Sequence, residues 1–205
     1  MKRVCLINGS LRGNNASSRE FLNDIESQLP DAAYVKKTVT VKARPVGGYG
    51  PAVLEQLAAA DALILVFPLY AYALPGALMR LLEDYYEYVR SGKEYNRRAT
   101  VYAIVNCGFP RPVVFDECLR VLRNFCRRLS LTWRFAVCIS SGPVVAATKR
   151  VPFLDLKLKK AIAAIASDLK NSDSAPGEDY FIRPVIPAPI CLMVKRRYEK
   201  KMEMR

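Results

Sequence analysis

The stretch Arg3-Val4-Cys5-Leu6-Ile7-Asn8-Gly9-Ser10-Leu11-Arg12-Gly13-Asn14-Asn15-Ala16-Ser17-Ser18 decides how this chain is read. An apolar run of strand length falls into a loop of glycine, small polar residues and one arginine. A helical pattern follows, with Phe21, Leu22, Ile25 and Leu29 on one face. Such a loop lets backbone N–H groups come close to an anion, and the helix N-terminus adds unsatisfied donors and the positive end of its dipole. Arg12 adds a charge, so the loop points to a bound phosphate. The same residues also make an ordinary strand-to-helix turn with Ser17 as its N-cap, and the loop taken alone does not separate the two readings.

Two kinds of phosphate site are disfavoured by what is missing. No G-x-x-x-x-G-K-[ST] occurs, since Asn14 stands five residues after Gly9 and no lysine follows, which argues against a nucleoside-triphosphatase loop. No G-x-G-x-x-G occurs either, which argues against a Rossmann dinucleotide site. What remains is a set of hydroxyls and amides (Ser10, Asn14, Asn15, Ser17, Ser18) suited to a terminal phosphate monoester.

Outward from this loop, apolar strand-like runs recur at about 3–8, 34–41, 61–67, 100–106 and 133–140. Helical patterns separate them, at about 17–29, 51–60, 75–91, 112–130 and 153–170. The runs Val4 to Ile7 and Ala62 to Phe67 are continuously apolar, as expected of strands buried on both faces of a parallel sheet. Five strands alternating with five helices predict a doubly wound α/β domain. Its ligand should lie beyond the carboxyl ends of the strands, where the loop after the first strand falls. There is no internal repeat and no interior linker. The domain is expected over 1–170, followed by an extension over 171–205 that is Pro-rich and apolar, then basic.

Two further loops belong to the same edge. After the third strand comes Phe67-Pro68-Leu69-Tyr70-Ala71-Tyr72-Ala73-Leu74-Pro75-Gly76, apolar and aromatic where a polar loop would be expected. Its prolines fix the backbone and Tyr70 and Tyr72 offer flat faces, which suits a planar ring met by main-chain donors. It also suits a loop that plugs the sheet or a dimer interface. After the fourth strand, Asn106-Cys107-Gly108 again permits close approach of backbone to a ligand. One loop for a phosphate and two for a ring jointly describe a site for flavin mononucleotide, FMN.

Here the sequence resembles the NAD(P)H-dependent FMN reductase family of the flavodoxin-like superfamily. The resemblance is carried by Gly9-Ser10-Leu11-Arg12 with Asn14 to Ser18, by Asp61 to Phe67 leading into Pro68-Leu69-Tyr70 and Leu74-Pro75-Gly76, and by Asn106-Cys107-Gly108. It covers roughly residues 2–170 and implies a flavodoxin-like sandwich with a five-stranded parallel sheet of order 2-1-3-4-5. It implies that Ser10, Arg12, Asn14, Ser17 and Ser18 hold the FMN phosphate. Pro68, Leu69, Tyr70, Ala71, Tyr72 and Ala73 would line the ring, and Asn106, Cys107 and Gly108 would close its other edge. Three departures stand out. Leu11 replaces a frequent proline, and Ala16 a frequent asparagine. Arg44-Pro45-Val46-Gly47-Gly48-Tyr49 lies where many iron-sulfur-associated relatives carry paired cysteines, so that partner function is not supported.

Composition bounds the chemistry. The chain has no histidine, which removes Ser-His-Asp and Cys-His hydrolase chemistry and HExxH zinc sites, so a cofactor is expected to carry any reaction and no metal or side-chain catalyst is assigned. Six cysteines without a C-x-x-C pair predict reduced, mostly buried thiols in a cytoplasmic protein. No apolar run approaches membrane-spanning length, and no membrane association is expected. The net charge of +13 is uneven: residues 1–100 carry 13 basic and 10 acidic side chains, the remainder 19 and 9. The cluster Lys195-Arg196-Arg197-Tyr198-Glu199-Lys200-Lys201 reads as a solvated terminus rather than a nucleic-acid arm. The expected activity is hydride transfer from NADH or NADPH to FMN and on to a small acceptor such as a quinone, a nitro or azo compound, or free flavin. The alternatives are a flavin-binding electron-transfer or regulatory module without NAD(P)H oxidation and, after it, a basic nucleic-acid-associated protein. A homodimer is expected from the resemblance.

Overall fold

The computed structural model describes residues 1–43, 47–108, 112–142, 145, 156–171 and 177–183. In chain order the elements are β1 (Lys2–Asn8), α1 (Ser17–Ser27), β2 (Tyr34–Thr40), α2 (Pro51–Ala58), β3 (Ala62–Pro68), α3 (Gly76–Arg90), β4 (Thr100–Asn106), α4 (Asp116–Arg128), β5 (Thr132–Ile139), α5 (Leu156–Lys170) and β6 (Tyr180–Ile182). Single 3-10 turns at Gly13–Asn15 and Pro112–Phe115 lead into α1 and α4.

All strand pairs are parallel, in the order β2-β1-β3-β4-β5-β6. Strand periodicity sorts the core into two layers. Val4 and Leu6 of β1, with Ile64, Val66, Ile104 and Val137, pack under Phe21, Leu22 and Ile25 of α1 and Ile162 and Ile165 of α5. Cys5 and Ile7, with Leu63, Leu65, Ala103 and Val105, pack on the other face under Leu57 of α2, Leu78 and Leu81 of α3, and Cys118 and Leu122 of α4. β3 is buried from Ala62 to Phe67 and β4 along its whole length, the doubly covered condition that the continuous apolar runs predict.

The sheet has six strands, not five. The sixth, Tyr180–Ile182, pairs with Val137–Ile139 and comes from the segment set apart as an extension. Polar pins place it. The Asp179 carboxylate accepts the Ala136 N–H at 2.7 Å and pairs with Arg123, and the Ser140 N–H donates to the Ile182 carbonyl at 3.0 Å.

The N-cap of α1 is also different from the expected one. Ala16 holds the extended N-cap conformation (φ −95°, ψ 145°), Ser17 is the first helical residue, and no side chain caps the helix end.

At the opposite end of the strands from the site loops, β4, β5 and α5 share a buried charge. Arg134, 2% exposed, forks onto Asp168 through Nε and Nη2 at 2.7 and 2.6 Å, and the Tyr102 hydroxyl donates to the same carboxylate at 2.7 Å. Burial works to raise the Asp168 pKa, but the hydrogen bonds from Arg134 and Tyr102 and the guanidinium charge outweigh it and hold that pKa below the ordinary value.

Candidate functional site

Because every strand is parallel, all strand C-termini lie on one edge, and the register brings their last residues level. Asn8 pairs with Val66, Pro68 with Asn106, and Asn106 with Ile139. The strand order reverses between β1 and β3, which is where a doubly wound sheet places its ligand.

The loop after β1 is shaped by Asn8, which is fully buried. Its Oδ1 accepts the Ser10 N–H at 3.2 Å and its Nδ2 donates to the Gly13 carbonyl at 3.4 Å, so one buried amide curls the loop around itself. Gly9 donates its N–H to the Val66 carbonyl at 2.8 Å, and a Cβ on it would stand 2.6 Å from the Cβ of Phe67. Only glycine lets the loop lie so close to β3. Gly13 has φ +54° and opens the 3-10 turn. Ser10 is buried, and its Oγ accepts the Arg12 N–H at 3.3 Å, while the Arg12 side chain is exposed. Asn14 lies in the 3-10 turn, its side chain outside the described residues. Ser17 is half-buried in the first turn of α1. Ala16 at the N-cap makes no side-chain cap, so the first-turn donors and the dipole suit a phosphate, although the first turn also carries the acidic Glu20.

Ser18 is placed differently from its neighbours. It is fully buried and its hydroxyl donates to the Asn106 Oδ1 at 3.1 Å. Its side chain therefore does not line the loop surface with Arg12.

The loop after β3 is tied down at its root and strained at its tip. Pro68 ends the strand, and the N–H of buried Leu69 donates to the Asn106 carbonyl at 2.8 Å. Tyr70 and Ala73 then exchange hydrogen bonds of 3.0 and 2.9 Å across a tight turn whose central residues, Ala71 and Tyr72, have φ of 47° and 65°. Positive φ at two successive non-glycine residues costs of order 1–3 kcal/mol each, and such strain gathers at functional sites. The turn holds Tyr70 and Tyr72 in the open, 48% and 54% exposed. Pro75 takes the N-cap of α3.

In the loop after β4, Asn106 and Cys107 are buried and Gly108 is exposed. Asn106 meets three other segments: α1 through Ser18, the β3 loop through Leu69, and the segment after β5 at Gly142. A Cβ at Gly142 would come within 2.9 Å of the Asn106 Cβ, and the Gly142 N–H donates to the Cys107 carbonyl at 2.6 Å. Sequence reasoning missed Asn8 and Gly142. Asn8 carried a signal, being a buried-position amide at the end of an apolar run, whereas nothing local marks Gly142. Cys5, Cys107, Cys118, Cys126 and Cys138 are free and buried, and desolvation raises the thiol pKa of Cys5, Cys118 and Cys126 to about 12. Cys191, Arg44 to Val46 and the basic cluster at Lys195 to Lys201 lie outside the described residues. A hollow of about 480 Å³ between α1 and α5, lined in part by Asp24, Gln28, Leu158 and Ile162, lies beside the helical layer and not at this edge. Among the described residues, no group of three or more His, Cys, Asp or Glu could hold a metal ion, and no helix is long and apolar enough to cross a membrane.

No family model matches the chain, and no curated protein matches it. Solved structures do. A flavodoxin, WrbA-like protein from Agrobacterium tumefaciens superposes with a TM-score of 0.58 at 13% identity, covering 83% of this chain and 99% of that one. The chain has the flavodoxin-like fold. The same flavodoxin-like architecture is shared with an FMN-dependent NADH-azoreductase from Bacillus anthracis str. Ames Ancestor in complex with FMN, at TM-score 0.58, 13% identity and coverage of 82% and 99%. It is shared too with a putative quinone reductase from Klebsiella pneumoniae, at TM-score 0.58, 14% identity and coverage of 86% and 87%. At these identities the likeness concerns the fold. Across it, the loops after β1, β3 and β4 stand at the strand edge where the flavodoxin-like topology places a ligand.

Proposed function

We propose that this edge holds FMN and that the protein is an NAD(P)H-dependent FMN oxidoreductase delivering electrons to a small acceptor such as a quinone, a nitro or azo compound, or free flavin. The observation that carries this reading is the hydrogen-bonded convergence of the three loops: Gly9 to Val66, Leu69 to Asn106, and Ser18 to Asn106. It unites an uncapped helix end and Arg12 with an exposed aromatic turn. Two of the structural neighbours, an FMN-dependent NADH-azoreductase solved with FMN and a putative quinone reductase, support the reading.

In this reading Ser10, Arg12, Asn14 and Ser17 surround the phosphate through backbone donors, hydroxyls and one guanidinium. Pro68 to Ala73 lie along the ring, with the strained turn fixing the height of Tyr70 and Tyr72, and Asn106 to Gly108 close its other edge. FMN supplies the redox chemistry when bound, accepting hydride from the nicotinamide and passing electrons on. The residues here bind and orient, and the chain needs no acid or base of its own. The exposed side of Tyr70 and Tyr72 leaves room for donor and acceptor to alternate. A cytoplasmic homodimer, with the binding loops all within residues 1–170 and β6 added from the 171–205 extension, completes the proposal.

Calorimetric titration with FMN, FAD and ATP, together with steady-state oxidation of NADH and NADPH, tests it. The expected result is a yellow protein that prefers FMN and oxidises a nicotinamide cofactor. Tighter binding of ATP, or no binding of any flavin, overturns the proposal, and flavin binding without nicotinamide oxidation reduces it to an electron-transfer module.

A further inference from the structure

We infer that Ser18 is a positioning residue that joins the phosphate half of the site to the ring half, holding Asn106 by one buried hydrogen bond instead of meeting the phosphate itself. The inference rests on the FMN reading and assigns Ser18 a different role from Ser10, Arg12, Asn14 and Ser17.

The geometry leaves Ser18 little choice. Its side chain is fully buried, and its hydroxyl donates to Asn106 Oδ1 at 3.1 Å across 88 residues of sequence. A serine hydroxyl has a single proton. Given to Asn106, it is not available to the oxygens of a phosphate dianion, which only accept. Ser17, one residue earlier and half-buried, is the first-turn hydroxyl with access to the loop.

Asn106 is the residue worth holding. It is 4% exposed, it ends β4, and its carbonyl takes the Leu69 N–H at the root of the aromatic turn. Gly142, in the segment after β5, lies so close that a Cβ on it would come within 2.9 Å of the Asn106 Cβ. The Ser18 bond holds the amide oxygen from the α1 side and so positions the amide at the ring edge. A shift of α1 toward or away from a phosphate therefore reaches the ring edge through this bond. The link is short and physical: helix α1, one hydroxyl, one amide, one strand end.

The test compares two variants on two ligands. Riboflavin has the ring without the phosphate. Arg12→Ala should weaken FMN and leave riboflavin unchanged. Ser18→Ala should weaken both by the same factor, about fivefold, which is what a buried neutral hydrogen bond is worth. It should also shift the visible absorption of bound riboflavin, since the ring edge is what moves. Ser18→Thr keeps the hydroxyl and should restore riboflavin affinity. A Ser18→Ala protein that loses FMN but binds riboflavin like the native chain overturns the inference, because that is the pattern of a phosphate ligand. Should neither Ser18 variant fold, the native protein decides. Inorganic phosphate alone should slow amide hydrogen exchange across residues 105–108, and no change there overturns the inference as well. A native protein that binds FMN normally while failing these tests leaves the FMN reading standing. One that binds neither flavin overturns both.

Discussion

Replacing Gly9 with alanine probes fold and site at one atom. The new methyl carbon would stand 2.6 Å from the Cβ of Phe67 and 3.0 Å from Cδ2 of Leu78. Leu78 can turn its side chain, but the Phe67 Cβ is fixed to the β3 backbone and cannot. Ordinary carbon–carbon contact needs about 3.5–4.0 Å, so the β1 loop and β3 must part by about 1 Å. The Gly9 N–H bond to Val66, now 2.8 Å, would then stretch beyond the range of a good hydrogen bond. Overpacking of this kind costs about 1–3 kcal/mol. For a chain of this size that corresponds to a fall in Tm of about 2–12 °C. The same displacement draws the phosphate loop away from the ring loop, so FMN affinity should fall while riboflavin is less affected. Thermal unfolding followed by circular dichroism, with titrations of both ligands, reads out the two effects. A Gly9→Ala protein with native Tm and native FMN affinity would refute the argument, since the loop would have to accommodate the methyl group without moving.

Arg12→Ala should cost about 1.5–3 kcal/mol of FMN binding if the guanidinium meets the phosphate, measured by calorimetry against riboflavin as the insensitive control. Asp168→Asn should destabilise the fold at neutral pH by about 3 kcal/mol, because it removes the carboxylate charge onto which the nearly buried Arg134 forks. Because the folded pKa of Asp168 is depressed, its contribution is present above the unfolded value of about 3.9 and is lost as pH falls through the folded value, so the variant should show a flatter acid limb of stability in pH-dependent melts. Cys5, Cys118 and Cys126, buried and with thiol pKa raised to about 12, should resist a thiol-labelling reagent at neutral pH until the chain is unfolded, and rapid native-state labelling at these positions would contradict their burial.

The doubly covered strands were legible because nothing competes with an unbroken apolar run. Ala62 to Phe67 and Thr100 to Asn106 fall where periodicity puts them, to within a residue. The sixth strand was not. Tyr180 and Phe181 are 38% and 46% exposed, and three residues at a sheet edge form no apolar pattern. The partners that hold β6, Ala136 and Arg123, lie more than forty residues away, beyond the reach of local reading. The start of α4 shows the same limit on a smaller scale. The helical spacing extends back to about 112, yet Pro112–Phe115 is wound as a 3-10 turn before the α-helix begins at Asp116.

Ser18 marks where local pattern ends and topology takes over. It precedes Phe21 by three residues and Leu22 by four, which places it on the buried face of α1, whereas Ser17 lies a hundred degrees around toward the loop. Spacing alone therefore separates the two serines, even though composition groups them with the other small polar residues of the loop. A hydroxyl on a buried face must find a partner inside the protein. No rule of spacing says that the partner is Asn106, because that pairing exists only once β1, β3 and β4 lie side by side and α1 crosses them. Asn8 and Asn106 follow the same logic. Each is an amide closing an apolar strand and each is buried, but Asn8 bonds the loop that directly follows it, whereas Asn106 takes its bond from a helix that a distant part of the chain delivers. The inward-facing polar residues of this edge are readable one at a time, and the order of the strands decides which of them meet.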